Sequence, residues 1–85
     1  MYIVAYDISD ERERHRVVKA LYNYGERVQK SVWACDVDAE TAIRLQRRLD
    51  KLDIATGMIH MWQAKAHPWK SGALDTPPRP WAHCL

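Results

Sequence analysis

Eighty-five residues, 47% of them hydrophobic and 28% charged, describe one globular domain and exclude a two-domain enzyme. Thirteen basic against eleven acidic residues leave a formal charge of only +2, so total charge announces no nucleic-acid partner and the distribution of the cations must be read instead. A chain this short buries roughly 60% of the surface its unfolded form exposes, a thin margin that predicts self-association.

The longest uninterrupted apolar run is Met1 to Tyr6, far short of the roughly 20 residues a membrane-spanning helix needs. Asp7 breaks it and Asp10 and Glu11 follow at once, unlike a secretory leader. A cytoplasmic protein without membrane contact is expected. Cys35 and Cys84 are then expected to be free thiols.

Tyr2 to Ile8 is β-branched, aromatic and apolar on both alternating faces until Asp7, the pattern of a central strand. Asp10 followed by Glu13 fits a reciprocal capping box. The helix it opens, Glu11 to Tyr24, carries Val17, Ala20, Leu21 and Tyr24 at helical spacing and ends at Gly25, suited to a left-handed cap. Arg27 to Val37 is too long for one strand and is interrupted by Lys30 and Ser31, which predicts a hairpin of two short strands. Asp38 caps a second helix with Ala42, Leu45, Leu49 and Leu52 as its apolar stripe. Asp53 to Gly57 is an exit loop, and Met58 to Ala64 a last strand. Residues 1–65 thus form the domain, and 66–85, with all four prolines, a tail whose Trp69, Trp81 and Leu85 are expected to dock on a partner.

Strand, helix, strand, strand, helix, strand is the ferredoxin-like split unit, an α+β fold. Its antiparallel sheet takes both helices on one face and leaves the other to be covered, most simply by a second copy. The fold hosts many functions and assigns none.

Asp7 is the most informative residue. An ionised carboxylate inside an apolar strand is costly unless paired, hydrogen-bonded or bound to metal, and magnesium takes one or two carboxylates and keeps its waters for a phosphate. A two-fold axis beside the first strand would set two Asp7 side chains together. The alternative is that Asp7 ends the strand and accepts from backbone amides of the next turn. Tyr6 would either stack on a base or, more often for a strand tyrosine, lie in the core. Asp10 would ligate metal or merely cap.

The cations are arranged rather than scattered. Arg12, Arg16 and Lys19 share one helix face, and Arg44, Arg47, Arg48 and Lys51 repeat the spacing on the second helix. Two such stripes, doubled in a dimer, suit phosphate oxygens; the bland alternative is a solvated face partly neutralised by Glu40–Arg44 and by Glu13 with Arg12 or Arg16. His15, His60, His67 and His83 show no zinc spacing, and no Gly-rich phosphate loop or Ser-His-Asp arrangement is present.

MYIVAYDISD at the start, then Arg14, Arg16, Val17 and Gly25, then RVQKSVW from Arg27 to Trp33, resembles the CRISPR-associated Cas-two family from Met1 to about Leu52. The resemblance implies a ferredoxin-like homodimer of CRISPR spacer acquisition, held between dimers of the larger integrase and contacting a DNA duplex or RNA. It implies a metal-dependent endonuclease, with magnesium (Mg2+) or manganese (Mn2+) bound between protomers by Asp7, or a scaffold without catalysis. Its functional pattern falls on Tyr6, Asp7, Arg14, Arg16, Arg27 and Ser31: Arg14, Arg16 and Arg27 to fix the phosphate, Ser31 to donate near the scissile group. Trp33 stands where the family has phenylalanine or tyrosine, keeping an aromatic platform, and Ala34 departs from the acidic residue that commonly follows. Rival readings are a toxin-type ribonuclease of the related VapD-like ferredoxin group and a structural dimerisation module that binds no nucleic acid.

Overall fold

A computed structural model describes residues 1–66. The first strand, β1 (Tyr2–Ile8), leads into α1 (Glu11–Leu21), the hairpin β2 (Glu26–Gln29) and β3 (Val32–Cys35), α2 (Ala39–Asp50) and β4 (Gly57–Gln63). All pairings are antiparallel, in the order β2-β3-β1-β4. This is the expected ferredoxin-like α+β fold. The strand β1 lies between β3 and β4, so its register positions residues on both sides of it.

Side-chain alternation along β1 divides the molecule. Val4, Tyr6 and Ile8 point to the helix side and form one core with Val17, Ala20 and Leu21 of α1, Leu45 and Leu49 of α2, and Trp33 and Cys35 of β3. Ile3, Ala5 and Asp7 point to the other face, which no helix covers among the described residues. There Ile3, Val28, Val32 and Trp62 line, with Ala64 and Ala66, a cavity of about 360 Å³.

Both helices begin on aspartates. Asp38 accepts from the Thr41 amide at 2.8 Å, and Asp10 from the Glu13 amide at 3.3 Å. The reciprocal half of the capping box is not made. The Asp10 amide donates to Thr56 Oγ1, while the Glu13 carboxylate crosses to the loop before β4 and accepts from the amides of Ala55 (2.8 Å) and Thr56 (3.0 Å) and from the Thr56 hydroxyl (2.5 Å). Helix α1 ends at Leu21, short of the expected Tyr24. Gly25 is not a left-handed cap, since its φ lies outside that region; it is glycine because a Cβ there would strike the Ala34 carbonyl and sit 2.8 Å from Cys35 Sγ.

No helix is long and apolar enough to cross a membrane among the described residues. Cys35 is a buried free thiol, and burial pushes its pKa up. Cys84 and the aromatic residues of the tail lie outside the described residues.

Candidate nucleic-acid interface

Asp7 is exposed, not enclosed as its apolar neighbours in sequence suggest. Alternation turns it to the helix-free face, opposite Met58 of β4. The backbones are pressed together here: a Cβ on Gly57 would strike the Asp7 carbonyl and come within 2.7 Å of Ile8 Cα. The register also sets His60 opposite Ala5, diagonal to Asp7 on the same face. Among the described residues no three His, Cys, Asp or Glu side chains converge, so one chain offers a hard cation a single strand carboxylate. Oxygen is the right donor chemistry for magnesium or manganese, and a second Asp7 would bring the carboxylates to two.

Tyr6 lies in the core, as a strand tyrosine more often does, and Trp33, expected as an aromatic platform, is in the core as well. Tyr6 is 6% exposed and Trp33 1%. Trp33 pairs with Val4, a core position, so the register carries its ring inward; Tyr22 meets it edge-on at 5.5 Å and the Arg27 guanidinium lies 5.5 Å from its centroid. Its Nε1 has no hydrogen-bond partner among the described residues. Trp33 is therefore not a stacking platform. Tyr6 has a positioning role: its amide donates to the Ser31 carbonyl at 3.0 Å and its hydroxyl to the Lys30 carbonyl at 3.3 Å. Both peptides of the hairpin turn are thus tied to β1.

A cleft of about 160 Å³ opens between this turn and α1. Arg14, Arg27 and Ser31 line it with Tyr6, as do three residues that sequence reasoning did not single out together, Glu11, His15 and Lys30. Arg14 Nη1 donates to the carbonyls of Ile8 (2.8 Å) and Ser9 (2.7 Å), closing the end of β1. Arg16 is exposed and outside this cleft, its Nη1 reaching the Leu52 carbonyl at 3.4 Å. Within one chain, then, Arg14, Arg27 and Ser31 meet on the helix side of β1, while Asp7 faces away from them.

The helical cations stand outward. Arg12, Arg16 and Lys19 of α1 are exposed, as are Arg44, Arg47, Arg48 and Lys51 at α2. Arg44 donates to the Thr41 hydroxyl at 3.2 Å. Asp38 is held below the ordinary aspartate pKa chiefly by its hydrogen bond with Thr41, with a smaller contribution from the Arg44 charge. Glu13 is not mainly an ion-pair partner for Arg12 or Arg16. Its oxygens are taken by the loop, and the Thr56 hydroxyl, then the Ala55 amide, lowers its pKa more than the Arg16 charge does.

A family model described as CRISPR associated protein Cas2 matches residues 1–70. The chain belongs to this family. A CRISPR-associated function follows from that membership. Among Cas2 relatives, it is 42% identical over 52 residues to CRISPR-associated endoribonuclease Cas2 3 of Synechocystis, across 61% of this chain and 56% of that protein. It is 44% identical over 52 residues to CRISPR-associated endonuclease Cas2 2 of Thermus thermophilus, across 61% and 58%. These matches span little more than half of each relative's length. A crystal structure of a hypothetical protein from Thermus thermophilus superposes with a TM-score of 0.72 at 34% identity, over 93% of this chain and 94% of that one. Streptococcus pyogenes Cas2 does so at 0.67 and 28%, over 75% and 84%.

Proposed function

We propose that the chain is a dimeric nucleic-acid-binding component of CRISPR spacer acquisition in the cytoplasm, holding a duplex for an integrase partner, with metal-dependent phosphodiester cleavage at Asp7 as its chemistry. The observation that carries this reading is the division of the molecule by β1. Apolar side chains and Asp7 occupy the helix-free face, and the outward cations of both helices occupy the opposite layer. Two copies joined by their helix-free faces would cover Ile3, Val32 and Trp62, bring the two Asp7 side chains toward one axis, and leave both cationic layers outward, where phosphate contacts are made. The nuclease names of the relatives support the chemistry.

A magnesium or manganese ion held by the two Asp7 carboxylates would supply an activated water and offset charge developing on the phosphate. Arg16, Arg27 and the helical stripes would bind the duplex on the outward layers, on the opposite side of the sheet from Asp7. Arg14, anchored on two backbone carbonyls, holds the end of β1 as well as facing the cleft.

Salt-dependent binding tests the nucleic-acid reading. Reversing Arg44, Arg47, Arg48 and Lys51 to glutamate is expected to weaken duplex binding and to flatten the dependence of log K on log salt by about 0.9 for each phosphate that is no longer neutralised. A slope equal to that of the unaltered protein would leave the α2 stripe a solvated face. The same series on Arg12, Arg16 and Lys19 apportions the binding between the helices.

A further inference from the structure

The link between β1 and α1 begins one residue after Asp7, and both of its peptide groups are held by side chains or backbone from elsewhere in the fold. We propose that Glu13 and Thr56 are positioning residues for the Asp7 carboxylate: by clamping the chain directly after it, they set how two Asp7 side chains face one hard divalent cation. The cation rests on the function proposed above; the clamp does not.

The carbonyls of Ile8 and Ser9 accept from Arg14 Nη1 at 2.8 and 2.7 Å. The amides of Ser9 and Asp10 donate to Thr56, the first to its carbonyl at 3.1 Å and the second to its Oγ1 at 3.0 Å. The C=O and N–H of a trans peptide point in opposite directions, so the link is gripped from two sides and none of its four polar groups is left to water.

Thr56 serves as one jaw because Glu13 holds it. The Thr56 amide and hydroxyl both donate to Glu13 Oε1, and the Ala55 amide donates to Oε2. A hydroxyl has a single proton, and spending it on the carboxylate leaves the Oγ1 lone pairs for the Asp10 amide. Glu13 is the one buried charged side chain among the described residues, and enclosing an ionised carboxylate is costly unless its oxygens are hydrogen-bonded. Three donors from the loop meet that requirement. The start of α1 does not ask for it, since Asp10 caps the helix through the Glu13 amide and not through its side chain.

The clamp reaches Asp7 through the backbone. The Ser9–Thr56 bond carries the pairing of β1 with β4 past Ile8 and Gly57, so Asp7 lies inside the ladder and not at a fraying end. Its carbonyl has no room to shift toward β4, where a Cβ on Gly57 would strike it. Magnesium demands near-octahedral oxygens, and a ligand must be held within about 0.5 Å of the productive geometry. An exposed carboxylate takes that precision from the chain that carries it.

The probe is Mn2+, titrated into the full chain and into its Asp7→Ala, Thr56→Val, Thr56→Ser, Glu13→Gln and Gly57→Ala variants. Binding is read from the loss of the free-ion electron paramagnetic resonance signal, at a temperature where unfolding curves show each variant folded. The ion that Asp7→Ala loses defines the site. Thr56→Val keeps the volume and removes the hydroxyl, and is expected to weaken binding there about tenfold, the lower end of the loss when a group that orients a metal ligand is removed. Glu13→Gln is expected to weaken it in the same direction, as is Gly57→Ala, which removes no hydrogen bond. Thr56→Ser keeps the hydroxyl and is expected to bind like the unaltered chain. Lower stability alone does not reduce the affinity of a chain that remains folded. If Thr56→Val or Glu13→Gln binds Mn2+ like the unaltered chain, that residue's positioning role is overturned while Asp7 stands as the ligand; Thr56→Ser binding as weakly as Thr56→Val would overturn it as well. If the unaltered chain holds no ion that Asp7→Ala loses, the metal reading fails and amide hydrogen exchange decides the clamp. Faster exchange of the Asp7 and Met58 amides in Thr56→Val, with Val4 unchanged, would uphold it; no change, or a change shared by Val4, would overturn it.

Discussion

Neighbouring residues of β1 carry opposite duties. Tyr6 is in the core and ties down the hairpin turn, whereas Asp7 is exposed on the far face, where truncating a side chain opens no cavity. Asp7→Ala is therefore expected to change folding stability by no more than about 0.5 kcal/mol and to abolish any magnesium-dependent cleavage of RNA or DNA, as read by thermal melting beside a gel cleavage assay. A variant that cleaves at the full rate would remove Asp7 from the chemistry. Asp7 could be singled out from its chemistry, a lone carboxylate between Tyr6 and Ile8, but its exposure could not, because an apolar flank says nothing of which face a residue takes. The same gap hid the burial of Trp33. Its inward direction follows only from pairing with Val4, and a strand's partner is fixed by turn length and topology, not by its own composition.

At the scale of elements, the Glu13 carboxylate joins α1 to the loop before β4 across 42 and 43 residues of chain. Its pKa is held down in the folded protein, first by the Thr56 hydroxyl, below the ordinary glutamate value of about 4.3. A depressed folded-state pKa gives stability that is complete above the unfolded value and lost as pH falls through the folded one. Urea unfolding at neutral pH is expected to find Glu13→Gln less stable than the unaltered protein, with the difference shrinking as the pH is lowered below about 4. A constant difference across that range would show that the charge of Glu13 is immaterial to the latch. The element boundaries were legible where local rules suffice: Asp10 and Asp38 as caps, Lys30 and Ser31 as a turn, the α2 stripe. The fate of Glu13 was not, since the spacing that marks a capping box cannot anticipate competing donors at Ala55 and Thr56.

For the whole molecule, the topology was readable from the order of elements, because few folds accommodate that alternation in so short a chain. The cleft was not, since it needs β1, α1 and the hairpin turn to converge. The helix-free face exposes Trp62 (49%) and Met58 (61%), and tryptophans at the centre of interfaces often contribute about 2 kcal/mol or more. In the dimer proposed above, Trp62→Glu is expected to raise the dissociation constant by roughly thirtyfold or more and to shift the population toward monomer in light scattering, with the cationic layers untouched. A variant with the unaltered mass distribution would place the dimer interface elsewhere on the surface.

The division of labour along β1 also sets a parity rule for the lineage. One peptide bond separates the residue that fixes the hairpin turn from the residue that faces the opposite side of the sheet. A single-residue insertion or deletion between the core position Val4 and Tyr6 would exchange the faces of Tyr6 and Asp7, sending a carboxylate into the core and a tyrosine out of it. A change of two residues would preserve both. A change of length in a loop carries no such cost, while this stretch of strand can change length only in even steps.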